Sequence, residues 1–338
     1  LFVIYLRSSS IGDFLSCEHK YFLGYTLGIQ LDSNISAKKG SVLHKSMELL
    51  AKKKLSAQNK QNGFEDKETN TKFKVKDLNS YSAIEFAINH YKEEYKLSDW
   101  DIKEIKNWFW DTIKFNNGEY NPLNRKIIDV EHFFNFEIFE PWAYYSYILK
   151  DEPHVGRLVL RGTMDLLTEI DSKTLHYIDW KTGSRVDWKK FENGKPVEKT
   201  LEMIKVDPQL QLYHYVIRKK FPVYDNIIMT LFFNKSGGPF SVKFTKEDYI
   251  EHEKFIKKTF ENIKSIQIPK LIKDEPTKNP HCKFCQFNKN KINEESYCSF
   301  YENEIIEKGL DKVTDEVILL DKHSQYEGGG STRILTGD

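Results

Sequence analysis

Residues 177–184 read "YIDWKTGS". Alternate side chains of a strand share one face, so Asp179 and Lys181 aim a carboxylate and an ammonium at the same spot, just before a turn at Gly183. A surface ion pair at a strand end has the same pattern, and the neighbouring segments decide between the two readings.

Working outward, "RLVLRGTMDLLTEI" (157–170) and "KTLHYIDWKTG" (173–183) read as two strands joined by a polar turn around Asp171 and Ser172. If they pair antiparallel, Asp165 and Asp179 converge on Lys181. Two hard oxygen ligands with room for water and phosphate describe a Mg²⁺ or Mn²⁺ site. A lysine beside it can polarise a water or offset charge developing on phosphorus.

Further strands are expected at "KIIDVEHFFNFEIF" (126–139) and in the pair "NIIMTLFFNKSGGPFSVKF" (226–244), with helices at "DPQLQLYHYVIRKKF" (207–221) and from about Lys246 to Ile266. Ile102, Ile105, Trp108, Phe109 and Ile113 keep the helical period between Tyr81 and Asn116, which predicts a helical insertion. Near the start, Ser10 and Asp13 read as a helix cap. After Gly40, Leu43, Met47, Leu50 and Ala51 form an apolar stripe beside His44 and Glu48. Residues 52–80 are polar and lysine-rich and read as an exposed connection. The pattern predicts an α/β class with a mixed sheet. Its divisions are N-terminal helices over 1–51, a connection and helical insertion over 52–125, a core over 126–270, a cysteine-rich segment over 271–320 and a flexible tail over 321–338.

Across 338 residues, 39% are apolar, enough for a substantial core. The formal net charge of +1, with 30% charged residues, leaves any attraction to nucleic acid to local patches. No apolar run is long enough to cross a bilayer, and "LFVIYL" lacks the basic flank of a signal peptide, so a soluble intracellular protein without a membrane partner is expected. Cys17 stands alone while Cys282, Cys285 and Cys298 cluster in and after "HCKFCQF". Without a secretory signal, that spacing favours metal ligation over a disulfide framework.

Taken in order, Gly162 with Asp165, the run Asp179 to Gly183, and Gln209 with Tyr213 in "QLQLY" resemble the PD-(D/E)XK nuclease superfamily, in its RecB-like branch. The Gly-x-x-x-His of Gly40 to His44 is similar to that branch, as is the opening series Ser8, Ser10, Phe14, Cys17 and Tyr21. The chain departs from the family's name in having Thr-Met before Asp165 where a proline is usual.

The resemblance implies a restriction-endonuclease-like core with a mixed central sheet flanked by helices, followed by a cysteine-ligated cluster segment. It implies Asp165 and Asp179 as metal carboxylates for Mg²⁺ or Mn²⁺, Trp180 lending its backbone carbonyl, and His44 as a further ligand. Lys181 would assist the attacking water, with Gln209 and Tyr213 orienting it and the DNA backbone; Gln211 and Tyr215 repeat the same spacing one register along. Glu131 is an extra acidic candidate. Cys17, Cys282, Cys285 and Cys298 would ligate a [4Fe-4S] cluster, with structural Zn as the alternative for the same four thiolates.

The activity expected is a metal-dependent deoxyribonuclease, an exonuclease on single-stranded or end-bearing DNA in repair, recombination or replication, with a helicase or recombination partner. A catalytically silent DNA-binding or scaffolding module and an RNA-directed nuclease are the alternatives. Arg185, Lys189 and Lys190, interleaved with Trp188 and Phe191, are the candidates for backbone binding and base stacking.

Overall fold

The computed structural model of the chain describes residues 5–29, 31, 33–149, 152–193, 195–265, 282–283 and 285–313. The tail expected over 321–338 lies outside them. The chain divides into two compact units, one of Leu1–Asp32, Asn135–Gly162 and His252–Asp338, the other of Ser33–Phe134 and Thr163–Glu251.

The second unit carries every candidate metal and catalytic residue outside the cysteines. Its elements, in chain order, are α1 (Ile35–Gln58), β1 (Gly63–Asp66), β2 (Thr71–Lys74), α2 (Ser80–Tyr95), α3 (Asp99–Gly118), β3 (Lys126–Glu137) and β4 (Val159–Asp171), the last two extending past its borders. Then come β5 (Thr174–Lys181), β6 (Val186–Glu192), β7 (Lys195–Glu198), α4 (Leu201–Lys205), α5 (Pro208–Lys220), β8 (Asn226–Phe233) and β9 (Gly238–Phe244). The sheet runs β3-β4-β5-β8-β9. β4 and β5 are antiparallel with Leu166 opposite Ile178, which sets Asp165 next to the Asp179 level. β5 and β8 are parallel, with Asp179 opposite Leu231, and the link between them passes through α5. The expected α/β core with a mixed sheet is therefore present.

β5 is the central strand, and every residue from Thr174 to Trp180 is buried. Its two faces meet different helices. Ile178 and Trp180 join the apolar cluster built by Leu43, Met47 and Leu50 of α1, Ile84 and Ile88 of α2, and Ile105 and Phe109 of α3. Tyr177, on the opposite face, packs edge-on against Tyr213 of α5, with ring centroids 5.5 Å apart. The Asp179 and Lys181 side chains thus leave the sheet on the α5 side.

α1 begins earlier than the apolar stripe suggests, because Asn34 caps it by accepting from the Ala37 N–H at 2.9 Å. Gly40 then lies inside the helix, where glycine has a packing role. A Cβ there would stand 3.1 Å from the Thr182 hydroxyl, so its absence lets α1 close on the end of β5. Residues 52–80, read from sequence as an exposed connection, hold the last turn of α1 and the β1–β2 hairpin. Phe64 and Phe73 stack across that hairpin at 5.3 Å, and a buried Asp66 ties it to Lys45 and Lys52 of α1. The lysines that suggested solvent exposure are in part its internal ion pairs.

The first unit corrects one expectation. Cys17, Cys282, Cys285 and Cys298 are four free thiols, and no three of their sulfurs lie within 4.8 Å of one another. Cys285 and Cys298 instead pack on the apolar cluster of Phe22, Leu23, Leu27, Phe287 and Val313, as small hydrophobes do. Burial, with the other three cysteines adding to it, pushes the Cys298 thiol up to about 12. Among the described residues there is neither an iron-sulfur arrangement nor a four-thiolate zinc site, and the C-terminal metal-cluster segment is absent from the fold. The opening helix, Ser8–Ser16, also differs in detail: Arg7 is its N-cap, and Ser10 takes part as the third residue of a capping box, accepting from the Arg7 N–H at 2.9 Å.

His176 makes the core sensitive to acid. His176 on β5 is buried, its Nε2 lies 2.7 Å from the Thr230 hydroxyl, and its Nδ1 has no hydrogen-bond partner among the described residues. Burial first, then the Arg125 guanidinium, lowers its pKa from 6.5 to about 3. Between those values the unfolded chain takes up a proton that the folded chain refuses, so stability falls as pH drops through that window, by at most roughly 5 kcal/mol. His176→Gln keeps a donor at the Nε2 position and removes the titration. Its urea midpoint relative to the wild type should rise between pH 7 and pH 4; an equal loss in both proteins would contradict this account.

Candidate active site and metal centre

The close approach at Gly40 places His44, one turn on, against the end of β5. Its Nε2 lies 2.7 Å from the Trp180 carbonyl oxygen and its Nδ1 3.2 Å from Asp165 Oδ2. That same Asp165 oxygen accepts the Trp180 N–H at 2.9 Å, so the β4 carboxylate, the β5 backbone and the α1 imidazole form one connected group.

β3 contributes Glu131. Its φ of +48° puts it in the left-handed region, which is rare for a non-glycine residue inside a strand. Backbone strain of this kind costs on the order of 1–3 kcal/mol and tends to persist where a side chain must be aimed. Here the aim is toward a carboxylate and an imidazole. Glu131, Asp165 and His44 each offer a ligand atom, all within 4.8 Å of one another, the only such group of three or more among the described residues.

The donor chemistry fits a hard divalent cation. Burial, then the neighbouring Asp165 and Glu48 carboxylates, raises the Glu131 carboxyl well above the usual range, with Lys45 and Lys52 opposing. Asp165 is raised too, first by burial; His44 opposes that shift and Asp179 adds to it. Two carboxylates that disfavour each other's charge, beside an imidazole nitrogen, form a set that Mg²⁺ or Mn²⁺ would relieve.

Asp179 has a different environment. Its Oδ1 accepts from the Tyr177 hydroxyl at 2.8 Å and the Gln209 amide at 2.5 Å, and its Oδ2 faces Lys181 Nζ at 2.7 Å. Burial, the largest influence, would raise its pKa, but the Lys181 ammonium, with His44 and the Tyr177 hydroxyl, holds the carboxyl below its ordinary value. The pairing in turn raises Lys181 against burial. Lys181 Nζ also donates to Gln209 Oε1 at 2.7 Å. Gln209 therefore bridges the acid and the base from the first turn of α5, whose cap is Asp207.

Of the residues singled out by sequence, His44, Asp165 and the Trp180 carbonyl lie together, and Asp179, Lys181 and Gln209 form an adjoining group. Tyr213 lies further back, donating to the Thr163 carbonyl oxygen at 3.0 Å and so fixing α5 to β4. Arg185 is engaged within the unit: it donates to Glu198 and to the Lys199 carbonyl, both at 2.7 Å, with its guanidinium 4.0 Å above the Phe240 ring. Lys189 and Lys190 lie on β6, and their side chains fall outside the described residues.

Two participants had no assigned role in the sequence. Tyr177 shares the strand face of Asp179 and Lys181, a period-two signal that was available. Glu48 follows His44 by one helical turn on α1, and both line a cavity of about 720 Å³ with Lys45, Glu131, Lys181, Thr182 and Lys199.

A family model described as the PD-(D/E)XK nuclease superfamily matches residues 8–289. The match supports the superfamily expected from the sequence, whereas the four-cysteine iron-sulfur feature of the expected branch is absent among the described residues. No curated protein matches the chain. A solved structure from Eubacterium rectale, provisionally described as an exonuclease, is similar over 86% of this chain and 90% of its own, at 10% identity and a TM-score of 0.47. No helix among the described residues is long and apolar enough to cross a membrane.

Proposed function

The chain belongs to the PD-(D/E)XK nuclease superfamily, and from that premise we propose that it is a Mg²⁺- or Mn²⁺-dependent deoxyribonuclease acting on single-stranded DNA or DNA ends. One observation carries the reading: His44, Glu131 and Asp165 converge within 4.8 Å, and His44 and Glu131 line a cavity that Lys181 also lines. A catalytically silent module would have no need to keep a raised-pKa carboxylate pair beside a lysine paired with a buried aspartate.

His44, Glu131 and Asp165 would hold the divalent ion, which when bound supplies Lewis-acid charge to a phosphoryl oxygen and acidifies a water. The protein's own contribution centres on Lys181. An ammonium has three donors; one goes to Gln209 while Asp179 pairs with the charge, leaving donor capacity for a water or a phosphate oxygen in the cavity. Asp179 keeps the ammonium charged and fixed, so its field is in place before negative charge develops. Tyr177 and Gln209 hold Asp179 in turn, which keeps the lysine from following the substrate away. The cavity, about 720 Å³, suits a single strand or a frayed end better than an intact duplex.

End-labelled single- and double-stranded DNA, closed circular DNA and RNA of matching sequence, each with Mg²⁺, Mn²⁺ or EDTA, test the proposal. Metal-dependent shortening of the linear DNA, with circles and RNA spared, is the expected result. Cleavage that survives EDTA, or cleavage of RNA alone, would refute it.

A further inference from the structure

Lys45, Lys181 and Lys199 line the cavity, and the first two are committed to the protein. Lys45 Nζ faces Glu48 and Glu68 at 2.6 Å and Asp66 at 3.2 Å, and Lys181 Nζ is held at 2.7 Å by Asp179 and by Gln209. Lys199 differs. Among the described residues its ammonium pairs only with Asp207, at 3.8 Å, beyond hydrogen-bond reach. That carboxylate is itself engaged, its Oδ1 accepting the Gln209 N–H at 2.9 Å at the start of α5. The Lys199 backbone, by contrast, is fixed from both sides at the neck of the β6–β7 hairpin. Its N–H donates to the Arg185 carbonyl oxygen at 3.2 Å, and its carbonyl oxygen accepts from Arg185 Nη1 at 2.7 Å. Arg185 is seated in turn: its N–H donates to the Ser236 carbonyl oxygen at 3.1 Å, its guanidinium covers the Phe240 ring, and a Cβ on Gly237 would stand 2.7 Å from its own Cβ.

A fixed backbone that carries an ammonium with open donors into the cavity of the reacting centre is the arrangement a phosphate contact requires. We propose that Lys199 binds a phosphate of the DNA strand next to the one cleaved, and that Arg185 is its positioning residue instead of a DNA contact. The inference deepens the nuclease reading above and rests on it. Lys181 stands between Asp179 and Gln209, where the reacting phosphate would lie, whereas Lys199 stands beside Asp207 at the cap of α5. The two ammonium groups therefore serve different phosphates of one strand. Arg185 has its guanidinium spent on Glu198, the Lys199 carbonyl and Phe240, which leaves the backbone contact to the lysine it holds. Such a contact fixes the strand's register and carries no base preference.

Fluorescence anisotropy of labelled single strands with Ca²⁺, over a series of KCl concentrations, reads affinity and its salt dependence, and cleavage with Mn²⁺ reads KM and kcat. Lys199→Met should weaken binding about tenfold for every sequence tried and raise KM with kcat nearly unchanged. The slope of log affinity against log salt concentration should become shallower by about 0.7, the share of one phosphate on a single strand. Lys199→Arg should keep the wild-type slope. Arg185→Met should also weaken binding, yet the double variant should lose no more slope than Lys199→Met alone. Lys199→Gln and Arg185→Gln take their place, with the same expectations, should either methionine variant fail to fold. An unchanged slope without Lys199, or a fall in kcat with KM preserved, would overturn the assignment. A further loss of slope in the double variant would make Arg185 a DNA contact and overturn its positioning role. A wild type that neither binds nor cleaves DNA would instead overturn the nuclease reading beneath it.

Discussion

Lys181→Met should lower DNA cleavage at saturating Mn²⁺ by roughly 10²–10³-fold, the usual consequence of removing one preorganised donor from a charge-developing centre. The geometry makes the loss hard to rescue. Lys181 Nζ is held at 2.7 Å by both Asp179 and Gln209, and methionine, with neither charge nor donor, cannot reproduce either contact. Stability should fall as well, because Asp179 is 3% exposed and loses its counter-charge. The cost is about 1–3 kcal/mol, less than for a fully buried pair, since the Tyr177 hydroxyl and Gln209 amide remain on Asp179 and the lysine side chain is partly solvated. The two effects separate in a double variant. Lys181→Met/Asp179→Asn should recover most of the lost melting temperature and none of the activity. If activity returned together with stability, Lys181 would be a structural cation and its assignment to the reaction would fail. Lys181→Arg should also remain slow, because a planar guanidinium cannot make the same two contacts and still present a donor to the cavity.

The parts of this site that could be read from sequence are those whose signal is local. Asp179 and Lys181 declare themselves by strand period, and Asp165 by the pairing of two adjacent strands. Gly40 and His44 stand out by their spacing, although the reason for the glycine, contact with Thr182, is visible only in three dimensions. Lys45, Lys52, Asp66 and Glu68 were hidden because a buried ion-pair network and a solvated charged linker have the same composition, and only the fold-back of the β1–β2 hairpin distinguishes them. The cysteines misled for a related reason. Cys-x₂-Cys beside aromatic residues describes a metal knuckle, but it also describes thiols packed into a small apolar cluster, and Phe287, Tyr297 and Tyr301 around Cys285 and Cys298 make it the second. Glu131 lay within an ordinary strand pattern, and nothing in "DVEHFF" announces a left-handed backbone.

Glu131 is also where function and stability should diverge most clearly. Without metal its carboxyl is raised by burial and by the Asp165 and Glu48 charges, so the folded chain holds that proton more tightly than the unfolded chain. From the unfolded value near 4.5 upward the folded state therefore binds more protons, and its stability declines as pH rises through the window below the raised folded value. Glu131→Gln removes this penalty while keeping the shape, so at pH 8 the metal-free variant should melt above the metal-free wild type. Manganese should shift the balance back toward the wild type. Binding to the folded state alone adds about 2.7 kcal/mol at a hundredfold excess over Kd, and loss of one carboxylate ligand should weaken affinity at least as much as loss of a supporting group, about 10–100-fold. The wild type should then gain most of that increment and the variant little of it, with cleavage falling in parallel. The opposite signs make the test specific. A residue that merely packs would lower melting with and without metal, and a solvated carboxylate would change neither curve. A metal-free Glu131→Gln protein that melts below the wild type at pH 8 would mean that the strained φ at this position serves packing, and the donor set would then lack its β3 ligand.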